Sequence, residues 1–397
     1  MFVQQDHYKK SYYETPFHSR TSELNILNEW QRWKDYTVAT NYFRTDLEYF
    51  AVRNTTGVID YTPMVKQKIT GPDSAEFVNR FFTRDMNKIS IGRVGYVVWC
   101  DEQGQVLDDG TVFHIRENEY WLLCVERQLD NLAISAIGFD VEIEEITDDV
   151  ACLGVQGPTS CSILKAMGFE GIEHLKPFDI EHYDFQGYEI MISRTGFSGD
   201  LGYEVWMVNE VALNFWDELF GQGEIYGIKP FGLDALDLVR IEAGLLVPGQ
   251  DFMVAEDAIR PGSTRSPFEL GLSWLVDLSK PVFNGREALL EEKKRGPRYT
   301  FVKLNINGNK PAHGSYLYNQ SGKKIGTVTS AMFSPSAKAN IAFASMHEPW
   351  KKGKDKIIAE IYYQKDLEWN RVMEEATIVT KPFFDPERKR ITPAELY

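Results

Sequence analysis

Apolar and polar positions alternate in short runs along most of the chain, and few long amphipathic stretches separate them. Val65-Lys66-Gln67-Lys68-Ile69-Thr70 predicts a strand of the half-buried kind. Near the N-terminus, Thr21-Ser22-Glu23-Leu24-Asn25 predicts the capped start of a short helix running toward Tyr36. Leu233, Leu236, Leu238 and Ile241 define one face of a second helix, with Gly244 near its end. From Tyr299 onward helical spacing gives way to five short strands, at 300–306, 324–330, 341–345, 356–363 and 376–380. Separated by Gly, Asn and Ser turns, they predict a small all-β barrel or sandwich. The charged run Glu291-Glu292-Lys293-Lys294-Arg295-Gly296-Pro297 marks the boundary before it.

One pattern occurs twice. Thr70-Gly71-Pro72-Asp73-Ser74 and Gln156-Gly157-Pro158-Thr159-Ser160 lie 86 positions apart, and each joins an apolar run to a helical start. Gly supplies the turn, Pro a preset φ, and Asp/Ser or Thr/Ser a side-chain cap. Two similar strand–turn–helix units, hence a duplicated α+β body, are expected.

A length of 397 residues implies two or three domains. The net charge of −15 disfavours nucleic acid, because the short basic runs Lys293-Lys294-Arg295 and Lys351-Lys352-Gly353-Lys354 read as solvated faces. Neither a signal-peptide core nor a membrane-length apolar run is visible, so a soluble, cytoplasmic protein with no membrane partner is expected. Cys100, Cys124, Cys152 and Cys161 form no C-x-x-C pair, and the seven histidines are scattered; no metal site is expected. Dinucleotide, Walker and nucleophile-elbow motifs are absent.

The candidate chemistry therefore rests on acidic residues in glycine-bounded contexts. In Val106-Leu107-Asp108-Asp109-Gly110-Thr111 the strand sends the two aspartates to opposite faces, one outward and one into the body of the domain. A buried carboxylate is costly unless it is hydrogen-bonded or used. In Arg194-Thr195-Gly196-Phe197-Ser198-Gly199-Asp200-Leu201-Gly202-Tyr203-Glu204, a tight loop precedes a strand carrying Glu204, which can accept paired N–H groups from a planar, guanidine-like ring edge. Asp234, Asp237 and Arg240 share a helix face, where an ion pair is the plain reading.

Taken together, these segments resemble the glycine-cleavage T-protein (aminomethyltransferase) family. The similarity runs through Val52-Arg53-Asn54-Thr55-Thr56-Gly57-Val58-Ile59-Asp60, Val106-Leu107-Asp108-Asp109, Val155-Gln156-Gly157-Pro158, the 194–204 loop, Arg240-Ile241-Glu242-Ala243-Gly244-Leu245, Gly249-Gln250-Asp251, Phe283-Asn284-Gly285-Arg286 and Val328-Thr329-Ser330. The resemblance implies an α+β, three-domain cloverleaf: two related α+β domains (1–60 with 150–245, and 61–149 with 246–295) and a C-terminal small β-barrel or sandwich (296–397). It implies a tetrahydrofolate-dependent transferase in which Asp108 is catalytic beside folate N5 and Glu204 holds the pterin's amino edge. Tyr203, Trp99 and Arg240 are expected to complete the folate pocket, with Asp109 at most a support for Asp108. One departure bears on the donor: the family's Arg in "A-R-D-x-L-R" is Leu236 here. That favours methyl transfer from a small methylated donor, as in the related demethylases. The alternative is an aminomethyltransferase served by a lipoyl carrier protein. A non-catalytic folate-binding protein stands third, because Leu246-Val247-Pro248-Gly249-Gln250-Asp251 lacks the cysteine of such relatives.

Overall fold

The computed structural model describes residues 13–260, 262–347 and 356–393. The basic run Lys351–Lys354 lies outside them. Lys293, Lys294 and Arg295 are exposed, as a solvated face should be.

Two sheets are built to one plan. The first runs in the order Ile180–Phe185, Tyr188–Ser193, Gly202–Val208, Val150–Gln156, Gly57–Asp60, Lys229–Pro230, antiparallel except for the last pair. The second runs Arg93–Cys100, Val106–Arg116, Glu119–Cys124, Val65–Thr70, Glu142–Glu145, antiparallel throughout. In each, one strand enters a glycine turn and a helix, then a three-stranded meander returns beside it. The turns match bond for bond. Gly71 N–H donates to Asn118 O and Ser74 N–H to Gly71 O; Gly157 N–H donates to Leu201 O and Ser160 N–H to Gly157 O. Both glycines have positive φ, +122° and +132°. The expected side-chain caps are not made. Asp73 instead accepts from Asp140 N–H, and the Thr159 hydroxyl pairs with Thr56.

Each sheet has a helix side and a side that meets the other sheet. Helix Ser74–Phe81 sets Phe77, Val78 and Phe81 against the second sheet, and helices Ser160–Ala166 and Ala212–Gly223 cover the first. Between the sheets, Phe113 of one meets Trp206 of the other edge-on at 5.5 Å. Ile59, Tyr61 and Cys152 join them from the first sheet, Ile115 and Leu123 from the second. Helix Leu233–Ala243 closes this layer and ends, as its spacing predicts, at Gly244, whose φ is +84°.

The C-terminal strands form a closed barrel in the order Tyr299–Ile306, Ala339–His347, Lys324–Ser334, Tyr316–Tyr318, Ile357–Lys365, Glu368–Val379. There are six strands rather than five; Tyr316–Tyr318 is too short to leave a periodic signal. The barrel interior is filled largely by small and branched residues, including Ala342, Ala344, Ala359, Val328 and Ile361. Helix Arg286–Arg295 carries the charged run and stops at Gly296.

The N-terminal expectation is corrected. The helix spans His18–Leu24, and the stretch toward Tyr36 is a hairpin of Glu29–Trp33 with Tyr36–Asn41. Aromatic and β-branched residues there favour strands, and Lys34 takes the left-handed conformation at the turn (φ 54°). Among the described residues no helix is long and apolar enough to cross a membrane.

Candidate functional site

The strand Val106–Arg116 decides which of the adjacent aspartates can act. Its Phe113 and Ile115 point toward the other sheet, and its Val112 toward the helices. By the same alternation Asp109 faces the inter-sheet side and Asp108 the helix side. Asp108 is fully buried, opposite Trp99 in the strand register. Its Oδ1 accepts from Asp109 N–H (2.8 Å), and its Oδ2 from Glu126 N–H and the Gln128 amide (3.3 Å each). Burial, followed by the charge of Asp109, pushes its carboxyl well above the ordinary range. Asp108, expected beside the folate, thus faces away from the space between the sheets, and both its oxygens are taken by the protein's own donors.

Asp109 lies on the inter-sheet side and is also buried. The Tyr96 hydroxyl donates a short bond to its Oδ2, and among the described residues Oδ1 has no hydrogen bond. Burial raises its pKa to about 6 against the lowering effect of Tyr96, with Asp251 adding a smaller upward push. A carboxylate of this kind is ionised at neutral pH yet readily protonated, which suits general-base work.

Glu204 stands on the face of the first sheet that turns toward the second. In Gly202–Val208, Glu204 and Trp206 point between the sheets, while Tyr203, Val205 and Met207 point to the helices. Glu204 Oε2 accepts from Thr195 Oγ1 at 2.6 Å. Thr195 in turn pairs with Ser193 Oγ (2.6 Å), which accepts from Trp206 Nε1 (3.3 Å). An ionised Glu204 can only accept, so Thr195 donates to it and accepts from Ser193 Oγ, which itself accepts from the Trp206 indole N–H. Burial raises the Glu204 pKa to about 7, and Oε1 is left without a partner among the described residues.

Beside it lies Tyr61, whose buried hydroxyl has no hydrogen bond among the described residues. Gly154, the register partner of both Glu204 and Ile59, makes room for that ring: a Cβ there would come within 2.4 Å of Tyr61 Cε2. Trp33 of the N-terminal hairpin lies edge-on to Tyr61 at 6.3 Å. A half-satisfied carboxylate beside an orphaned hydroxyl fits a flat ligand carrying N–H donors and a ring acceptor. Tyr61 and Tyr96 left no motif in the sequence; only sheet register brings them to the two carboxylates.

Three expected pocket residues do not face this space. Tyr203 and Trp99 lie on the helix sides of their sheets, Trp99 among Phe81 and Phe82. Each is displaced by the same alternation that aims Glu204 and Asp109 inward. Arg240 is spent on the protein. Its Nε and Nη2 meet Asp237, Nη1 reaches Leu245 O (3.1 Å) and Asp251, and Nη2 also bonds Ser330 Oγ (2.8 Å). The ion pair with Asp237 read from the helix spacing is present, and Arg240 joins that helix to the barrel. Leu236 sits in the inter-sheet layer, where the family has an arginine.

The glycine-rich loop owes its composition to Gln156. A Cβ at Gly196 or Gly202 would lie 2.1 or 2.3 Å from Gln156 Oε1, which accepts from Ser198 Oγ at 2.7 Å. Gln156 Nε2 donates to Thr195 O and Tyr203 O, so the loop is wrapped around one buried amide.

Comparison with known proteins gives a consistent result. The family profile described as "GCVT N-terminal domain" matches residues 19–280, and the "Glycine cleavage T-protein C-terminal barrel domain" matches residues 300–385. An aminomethyltransferase of Caldanaerobacter subterraneus subsp. tengcongensis is 33% identical over 349 residues, covering 86% of this chain and 88% of that one. The aminomethyltransferase of Bacillus subtilis is 32% identical over 344 residues, covering 85% and 90%. The solved glycine cleavage system aminomethyltransferase T of Bartonella henselae superposes with a TM-score of 0.83 at 23% identity, covering 96% of this chain and all of that one.

Proposed function

The chain belongs to the glycine cleavage T-protein family, and from that premise we propose how its two inward carboxylates serve a tetrahydrofolate-dependent one-carbon transferase. Glu204 and Tyr61 hold the pterin: the open Oε1 accepts N–H from its amino edge, and the orphaned hydroxyl takes a ring heteroatom. Tetrahydrofolate, when bound, supplies a nucleophilic nitrogen, N5, that accepts the carbon. Asp109 receives the proton released there at Oδ1, while Tyr96 fixes Oδ2 and with it the plane of the carboxylate. The apolar layer around Phe113, Trp206 and Leu236 keeps water from the reacting carbon. The observation that carries this reading is that Asp109 and Glu204, alone of the expected acidic set, stand on the facing sides of the two sheets.

For the donor we favour a small methylated molecule passing its methyl to N5. The neutral Leu236 stands where the family has an arginine, and the partly buried Trp33, Trp121 and Phe197, packed against the same layer, offer aromatic faces to a positively charged methyl donor. The relatives named aminomethyltransferase support the second reading, an aminomethyl group delivered on a lipoyl carrier and released as 5,10-methylenetetrahydrofolate. Four free, buried cysteines accord with a reducing compartment, and we place the protein in the cytoplasm.

The test is turnover with tetrahydrofolate and a panel of sulfonium, ammonium and aryl-ether donors, the product folate being read by mass. 5-Methyl product from one donor is the expected result. 5,10-Methylene product formed only with a loaded lipoyl carrier would establish the second reading, and no binding of tetrahydrofolate would overturn both.

A further inference from the structure

The last described segment of the chain lies across the glycine-rich loop that supports Glu204. Loop residues 194–201 connect the strands Tyr188–Ser193 and Gly202–Val208. At the loop's start, Arg194 Nη2 donates to the carbonyl oxygens of Ile391 (2.6 Å), Lys389 (3.3 Å) and Arg388 (3.4 Å). At its far end, Asp200 accepts a two-pronged pair from Arg388, Nε to Oδ1 at 2.6 Å and Nη2 to Oδ2 at 2.7 Å. The Asp200 side chain is wholly buried, with Arg53 Nη1 also 3.5 Å from its Oδ2. Arg388 also reaches Arg53 O (3.0 Å), and Phe384 anchors the segment further back, its N–H on Glu242 O and its ring 3.9 Å from the Arg53 guanidinium.

The loop has reason to need such ties. Gly196 is demanded by the Gln156 amide and Gly199 by Ala243 and its own positive φ, and glycine brings conformational freedom along with the space. Thr195, the residue that orients Glu204, follows Arg194 directly. We propose that the C-terminal segment is a strap that holds this loop, and that Arg388 is a positioning residue for folate capture, acting through Asp200, Thr195 and Glu204. The proposal rests on the reading of Glu204 as the pterin anchor.

Arg388→Ala in the full chain, with tetrahydrofolate titrated by calorimetry under anaerobic conditions, should raise Kd about tenfold and leave kcat at saturating folate within about twofold, a coupling of ordinary size. The same change in a Glu204→Gln background should leave the weakened Kd unmoved while lowering Tm as much as it does alone. An equal loss of affinity in both backgrounds would make Arg388 a stability residue only and overturn the proposal, as would an unaltered Kd in the single variant. Should Arg388→Ala fail to fold, hydrogen exchange on the unchanged protein decides. By reciprocity tetrahydrofolate must slow exchange at 386–391, and no slowing overturns the strap. Absence of folate binding by the unchanged protein is a separate outcome that overturns the anchor reading itself.

Discussion

Two adjacent carboxylates on a strand are forced into different surroundings, and in the proposed function the difference separates structure from chemistry. Asp108 is saturated by backbone and amide donors, whereas Asp109 keeps one oxygen open. Asp109→Asn should therefore lower turnover about 10²–10⁴-fold, the usual loss for a removed general base, with folate Kd changed by no more than about threefold. Unchanged turnover in a stopped assay would remove Asp109 from the mechanism. One pH dependence follows from the raised Glu204 carboxyl. Glu204, at about 7, is protonated in the folded protein over a range where the unfolded chain already carries the charge, so its ionisation destabilises the empty protein as pH rises toward and through 7. The Tm of Glu204→Gln, compared with that of the unchanged protein, should gain with rising pH. Folate binding should show the opposite trend, weakening below pH 7 as Glu204 loses acceptor capacity, and a flat Kd from pH 5.5 to 8 would contradict the anchor. The alternation of Asp108 and Asp109 was legible in the sequence. That neither would face solvent was not, because helices cover one side of the sheet and the other sheet covers its opposite side.

At the scale of elements, the repeated glycine turn was the most informative signal. Gly157 is needed twice over: its φ is +132°, and a Cβ would lie 2.4 Å from Thr55 O. Gly157→Ala should destabilise the protein by about 3 kcal/mol or more in chemical denaturation, since strain and a backbone clash add. Gly168→Ala, at positive φ but in open space, should cost only about 1–2 kcal/mol. Equal losses would mean that conformation alone, not crowding, sets the requirement. The helix at Leu233–Ala243 and five of the six barrel strands were likewise readable from spacing and turns. The N-terminal hairpin was not. Its apolar residues mix both periods, and only docking decides between them: Tyr36 bonds Asp148, and Arg127 reaches Asp35.

At the scale of the whole molecule, buried charge ties the pieces together. Arg53 grips Glu242 through Nε and Nη2 at 2.9 and 2.6 Å, and Glu242 also takes the Tyr49 hydroxyl and Ser334 of the barrel. Arg240 and Asp251 make a second clamp, to Ser330 and Thr329. Many of the motifs that carried the family resemblance are these clamps, which explains why the resemblance found the fold. The interleaving of the two sheets has a consequence of another kind, for the order in which a ribosome delivers them. All five strands of the second sheet lie between residues 65 and 145, so that sheet can close while synthesis is under way. The first sheet begins earlier, at Gly57–Asp60, yet that strand waits for its neighbour Val150–Gln156 and for Lys229–Pro230. The unit begun first is thus completed second, and during elongation an apolar strand stands exposed beside an already folded body, where nascent-chain chaperones would find it.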